Sequence, residues 1–185
     1  MRDTVIALDV SPSMGKPSER IRPSKLSVAR DALAYALSRL LSRVPRARVG
    51  LVVFYRRAYP LLPLTSDARA ALKALSLARI LGSGTAPGEA VIEAVKLLRR
   101  SHREKSVLLV TDGGFNEGIH LEYSAYYARY SGVRLDVATL GEEPHGRDRA
   151  SIEEAVKLTG GTWLHASKRE EVYSVLSKIL APPGA

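Results

Sequence analysis

Apolar runs of strand length alternate along this chain with longer segments of helical periodicity, and few folds accept that alternation. Short apolar strands joined by helices require crossover connections, which lay the strands parallel in a sheet with helices on both faces. Thr4–Asp9 is the first such run, and Ser24 can cap a helix from Lys25 to about Arg43 in which Leu26, Ala29, Leu33, Ala36 and Leu40 recur at helical spacing. Ala47–Tyr55 and Ala58–Leu64, separated by Arg56-Arg57, read as an antiparallel hairpin. Pro60 and Pro63 assign its second arm to the sheet edge, because proline cannot donate to a ladder on both sides. Ser66 or Asp67 can cap a short helix over Ala68–Ala78, and Pro87 opens another that runs to about Arg100. Ser106–Thr111 is a continuous apolar strand suited to the middle of a sheet. Helices near Leu121–Ser131, Ser151–Leu158 and Arg169–Leu180, with strands Val133–Leu140 and Thr162–Leu164, complete the pattern. The expectation is an α/β fold: a doubly wound, mostly parallel sheet with one antiparallel edge strand. No linker or repeat divides the chain, so one domain is expected over 1–185, with its core at about 4–180 and 181–185 a frayed tail.

A chain of 185 residues buries enough apolar surface to need no covalent staple, and this one has no Cys. Thiol nucleophiles, disulfides, Cys-ligated zinc and iron–sulfur clusters are thereby excluded, and a reducing compartment is permitted. The N-terminus runs straight into Val5-Ile6-Ala7-Leu8, too short for a signal-peptide core or a membrane span, so a cytoplasmic location without membrane contact is expected. Asn116 is the only Asn and Gln is absent, a profile that leans toward a thermophilic source because amide side chains are thermolabile. The net charge of +9 points to acidic partners or to a solubilising surface. Nucleic acid is disfavoured: basic pairs such as Arg99-Arg100 are short and scattered, with no aromatic-interleaved basic stripe.

In open parallel sheets the ligand site lies beyond the carboxyl ends of the strands. Asp9-Val10-Ser11-Pro12-Ser13 follows the first strand, Gly84-Thr85 lies in a loop, and Thr111-Asp112-Gly113 follows the central strand. Asp9, Asp112, Ser11, Ser13 and Thr85 are hard oxygen donors, the set Mg²⁺ or Mn²⁺ prefers and zinc does not. Residues two apart in an extended segment point the same way, so Asp9, Ser11 and Ser13 can address one point. Either motif alone is ordinarily a turn with capping hydroxyls. Together, at strand ends, they gather five such donors where one ion could be held.

Asp9-x-Ser11-x-Ser13, then Thr85, then Asp112 in a Thr-Asp-Gly turn resembles the metal-ion-dependent adhesion site of von Willebrand factor A-like domains. The order of elements and the phrase Gly82-Ser83-Gly84-Thr85 opening a helix extend the resemblance from about Thr4 to Leu180. It implies a doubly wound fold. It also implies that Ser11, Ser13 and Thr85 ligate a Mg²⁺ or Mn²⁺ ion while Asp9 and Asp112 act directly or through water. A partner's Asp or Glu then completes the shell, in a protein–protein interaction without catalysis. Small stand-alone relatives resemble accessory subunits of MoxR-type AAA+ ATPases or of chelatases, an analogy that offers a MoxR-type ATPase as a candidate partner. The loop Met14–Pro23, variable in the family, would shape partner choice.

Two other classes are weighed against this. A Mg²⁺-dependent phosphohydrolase of the haloacid dehalogenase type needs Asp-x-Asp, and the third position here is Ser11. Met14-Gly15-Lys16-Pro17 lacks the frame and the following hydroxyl of a phosphate-binding loop. A basic nucleic-acid-binding domain with a structural metal would lose affinity steeply with salt. His102 reads as a cation suited to the basic helix end Arg99–Arg103, His145 and His165 are expected at the surface, and His120 at most at the rim of the site. Asn116 reads either as an ordinary loop residue or as a hydrogen-bonding partner of the metal site.

Overall fold

The computed structural model describes residues 2–181, so the expected frayed tail falls, from Pro182 onward, outside the described residues. Strands β1 (Arg2–Asp9), β2 (Arg48–Phe54), β3 (Ala58–Thr65), β4 (Glu104–Thr111), β5 (Val133–Leu140) and β6 (Trp163–Ala166) form one sheet in the order β3-β2-β1-β4-β5-β6. Neighbours are parallel except β2 with β3, the antiparallel edge pair. The β3 ladder shifts register between Val49 and Leu51 and again between Leu51 and Val52, as expected where Pro60 and Pro63 supply no N–H.

Helices α1 (Lys25–Arg43), α2 (Ala68–Ser76), α3 (Pro87–Leu98), α4 (Leu121–Tyr130), α5 (Gly146–Thr159) and α6 (Arg169–Leu180) cover both faces. Ser24 caps α1, its Oγ accepting from the Ser27 N–H at 3.1 Å. Asp67 rather than Ser66 caps α2, accepting from Arg69 and Ala70 N–H at 2.8 and 3.2 Å. Helix α5 starts at Gly146, a turn earlier than its apolar repeat indicates. Its polar first turn carries no periodic signal, and Asp148 there meets the positive end of the helix dipole.

Alternation along the strands sorts the core into two layers. Ile6, Leu8, Leu108 and Val110 face α1, α2 and α6, whereas Val5, Ala7, Val107 and Leu109 face α3, α4 and α5. Burial on both faces explains why these strands read as unbroken apolar runs. At the amino ends of the strands, cations answer helix C-termini. Arg2 donates to the Ile179 carbonyl at 2.7 Å, Lys105 to that of Ser131 at 2.6 Å and Arg129 to that of Leu158 at 3.4 Å. Part of the basic surplus is thus engaged where the dipoles of α6, α4 and α5 favour positive charge. No described helix is long and apolar enough to cross a membrane.

The central strands β1 and β4 send their connections to opposite faces, β1 to α1 and β4 to α4. Their carboxyl ends therefore flank a crevice, the place where an open α/β sheet binds its ligand.

Candidate metal centre

Parallel pairing of Leu8 with Val110 brings the ends of β1 and β4 side by side, so residues remote in sequence meet there. Thr111 donates its hydroxyl to Asp9 Oδ2 at 2.6 Å, and the Ser11 N–H donates to Asp9 Oδ1 at 2.9 Å. Asp9 is fully buried. Burial pushes its carboxyl up to about 7 and the nearby Asp112 charge adds to the rise, which the hydrogen bonds from Thr111 and Ser11 only partly offset. A short 3-10 turn over Pro12–Gly15 then carries Ser13 back toward Ser11. The two hydroxyls lie 3.1 Å apart, and Ser13 donates to Asp112 Oδ1 at 3.0 Å. Adjacent ligands of an octahedral ion with bonds of about 2.1 Å are about 3 Å apart, so this chain of oxygens has the spacing of such an edge.

Thr85 reaches the same place from the loop before α3. Its buried backbone is clamped by Asn116, whose Oδ1 accepts from the Thr85 N–H at 2.9 Å and whose own N–H donates to the Thr85 carbonyl at 3.2 Å. Ser11, Ser13, Thr85 and Asp112 line one cleft of about 470 Å³, and Asp9 meets it through Ser11. All the candidate positions therefore converge. Among the described residues no group of three or more His, Cys, Asp or Glu is placed to hold a metal. The donors gathered there are hydroxyls with two carboxylates, a set whose hardness suits a hard cation.

One residue of the site had no sequence signal. Lys25 opens α1 and reads only as a helical surface residue, yet its Nζ lies 2.9 Å from Asp112 Oδ2, with the two side chains 13% and 8% exposed. Its chain passes over Gly141, where a Cβ would sit 3.0 Å from Lys25 Cδ and where φ is +99°. His120 does not face the metal cleft: it lines a neighbouring cleft of about 310 Å³, with Arg147 at 3.1 Å. His165 is half-buried rather than exposed, its Nδ1 3.0 Å from the Thr139 hydroxyl, because β6 extends through it to Ala166.

The raised Asp9 carboxyl has an expected consequence for pH. An ion held at this site would favour the ionised carboxylate, so apparent metal affinity should hold above pH 7 and fall as pH drops through about 7, by up to about tenfold per unit. The metal-free chain should move the opposite way. Its folded Asp9 binds a proton that the unfolded chain, with a pKa of about 3.9, does not, so stability rises as pH falls through about 7. Metal titrations and thermal scans between pH 8 and pH 5 check both signs; a metal affinity independent of pH across that window would count against a role for Asp9.

A model of the von Willebrand factor type A domain matches residues 4–115, from β1 through the Asp112 turn. An uncharacterized protein of Borreliella burgdorferi is 32% identical over 117 residues, which are 62% of this chain and 33% of that protein. The chain spans about a third of the length of the relative it matches. Among solved structures, BatB from Bacteroides thetaiotaomicron superposes with a TM-score of 0.80 at 23% identity, covering 97% of each chain. Proximal thread matrix protein 1 of the mussel byssus, solved with a zinc-occupied MIDAS motif, gives a TM-score of 0.80 at 18% identity over 97% of this chain and 44% of its own. These structural likenesses show the fold, and a family model that spans most of the sheet shows the family. The chain belongs to the von Willebrand factor type A domain family, whose members are commonly metal-dependent protein–protein interaction modules.

Proposed function

We propose that the chain holds one Mg²⁺ or Mn²⁺ ion through Ser11, Ser13 and Thr85, with Asp9 and Asp112 orienting or completing the shell, and uses it to bind an acidic residue of a protein partner. The observation that carries this reading is the run of oxygens from Ser11 through Ser13 to Asp112 at 3.1 and 3.0 Å, in a cleft that Thr85 also lines. When bound, the ion supplies an electrophilic point for an anionic oxygen. The chain's own residues set how strongly it wants one. Asp9 and Asp112 together balance a divalent charge, and Lys25 beside Asp112 then leaves the site with one positive charge in excess. An incoming carboxylate restores neutrality, and the bond strengthens where the contact excludes water. Exposed Lys16, Arg20 and Arg22 in the adjoining loop add long-range attraction for it.

A MoxR-type AAA+ ATPase, which the family resemblance implies, is the first partner to test. Binding of the purified chain to that ATPase from the same source is measured with Mg²⁺ and with chelator, for the native sequence and for Thr85→Ala. The expected result is loss of binding in chelator and in Thr85→Ala. One acidic residue of the partner should be as sensitive when changed to its amide, and its acidic neighbours much less so. A partner that binds equally well in chelator and to Thr85→Ala would place recognition on another face, such as the β2–β3 hairpin.

A further inference from the structure

The two walls of the metal cleft differ in character. One wall carries Glu142, Glu143 and Asp148. Arg149 answers Glu143 while also pairing with Glu153, and Asp148 accepts only uncharged N–H groups of Gly114 and Phe115, so three carboxylates face one shared guanidinium and this side stays net acidic. The other wall is the connection from α2 to α3, of which Ser83 and Gly84 line the cleft. Just before them the sequence Leu77-Ala78-Arg79-Ile80-Leu81 runs with irregular backbone at the surface. Leu77 is 62% exposed, Ile80 38% and Leu81 47%. Solvent-facing connections are ordinarily polar, and an exposed apolar run beside a site is a mark of an interaction surface.

The run is held in place rather than loose. The Leu81 N–H donates to the carbonyl of Val10, the residue between Asp9 and Ser11, at 3.2 Å. Ile80 packs so closely on the Pro12–Gly15 turn that a Cβ on Gly15 would lie 3.0 Å from its Cγ1. Gly82 lies against the ring of Tyr55, which stacks on Tyr59 at 5.8 Å. Exposed Arg56, Arg57 and Arg79 border these apolar groups, with Glu117 facing Arg56 at 3.6 Å. Arginine and aromatic side chains around an aliphatic centre are the composition of interface hot spots.

We propose that the partner approaches the metal from this side: the segment whose carboxylate reaches the ion also lays an aliphatic side chain on Leu77, Ile80 and Leu81. The inference rests on the metal-dependent reading above and specifies the partner's chemistry, an acidic residue next to large aliphatic ones. Charge complementarity selects that occupant, because the exposed arginines around the apolar run attract it while the acidic side of the cleft opposes it. Two copies of this chain, each with a net charge of +9, repel one another.

The test uses the whole chain and capped peptides Gly-Asp-Leu-Leu-Gly, Gly-Asp-Ser-Ser-Gly and Gly-Asn-Leu-Leu-Gly, titrated in millimolar Mg²⁺ and followed by amide chemical shifts. Mg²⁺ affinity is measured separately by calorimetry. The Asp-Leu-Leu peptide should bind about tenfold tighter than the Asp-Ser-Ser peptide, and Leu81→Ser should erase that preference while leaving Mg²⁺ affinity unchanged. Arg79→Glu should weaken both acidic peptides. Equal affinity for the two acidic peptides, a preference that survives Leu81→Ser, or no peptide binding by a metal-loaded chain would overturn the one-sided docking and leave the metal reading intact. Absence of Mg²⁺ binding would sink both. A Leu81-dependent dimer in sedimentation, or Leu81-dependent binding to phosphatidylglycerol vesicles, would assign the surface to a second copy or to a bilayer and so also overturn it.

Discussion

Millimolar Mg²⁺ or Mn²⁺ is expected to raise the Tm of this chain, and Asp9→Asn and Asp112→Asn are each expected to abolish the rise. An ion that binds only the folded state stabilises it by mass action, by about 2.7 kcal/mol at a free concentration a hundredfold above Kd. For a chain of this size that corresponds to a shift of about 5–10 °C. The asparagine variants keep the side-chain shape and remove the charge. Asp9→Asn can still accept from the Ser11 N–H and meet the Thr111 hydroxyl, so its metal-free fold should persist. Asp112→Asn leaves Lys25 without its carboxylate, a cost that appears in the metal-free scan and does not obscure the metal-dependent difference. A remote surface variant such as Glu154→Gln should keep the full shift. If the shift survived in both asparagine variants, the ion would be binding elsewhere.

Asp3→Ala should cost about 3 kcal/mol of stability, a large share of the 5–15 kcal/mol typical of a folded domain. Asp3 is fully buried at the amino end of β1, opposite the metal site. Arg48 meets both of its oxygens, with Nε donating at 3.2 Å, while Ser101 donates its hydroxyl at 2.6 Å and Arg103 lies at 3.3 Å. Removing the carboxylate strands these groups. The low end of the range for a broken buried pair is expected, because the Arg48 and Arg103 side chains keep 35% and 32% exposure and can return to water. Burial by itself would raise the Asp3 carboxyl. The hydrogen bonds from Arg48 and Ser101, with the charges of Arg48 and Arg103, outweigh it and hold the group below the ordinary carboxylate range. Its stabilisation is therefore complete above the unfolded value of about 3.9 and is lost as pH falls through the depressed folded value. Urea titrations at pH 7 and pH 3 measure both effects: the contribution in the native chain should be smaller at the lower pH, and Asp3→Ala should lack it at both. A variant within about 0.5 kcal/mol of the native chain at pH 7 would show that the cluster contributes little.

Asp9 and Asp3 thus sit at opposite ends of one strand with their carboxyls shifted in opposite directions, although both are fully buried aspartates. The difference lies in what each meets. Two arginines neutralise Asp3, whereas Asp9 has hydroxyl and amide donors and a second carboxylate close by. In the reading proposed above, a cation from solution supplies the positive charge that Asp9 lacks, beside a carboxylate already paired with Lys25.

Periodicity along consecutive residues determined the sheet, Pro60 and Pro63 the edge position of β3, and the strand ends, with the family resemblance, the converging donors. A strand buried on both faces must be apolar throughout, and a helix on one face must repeat at its own period, so both are written locally. Asp9, Ser11, Ser13 and Asp112 were legible for the same reason: each lies within a few residues of a strand end, and strand ends follow from the pattern. Element boundaries with polar first turns, as at Gly146, were not, because no apolar repeat marks them. Only the tertiary structure decided that Lys25 reaches across Gly141 to Asp112, that Asn116 clamps Thr85 from 31 residues away, and that Glu142, Glu143 and Asp148 line the cleft while Leu77, Ile80 and Leu81 stand exposed in the connection just before Ser83 and Gly84. Those relations depend on which strands become neighbours and where each loop crosses the carboxyl edge of the sheet. Such distances are set by packing in space, and no spacing along the chain encodes them.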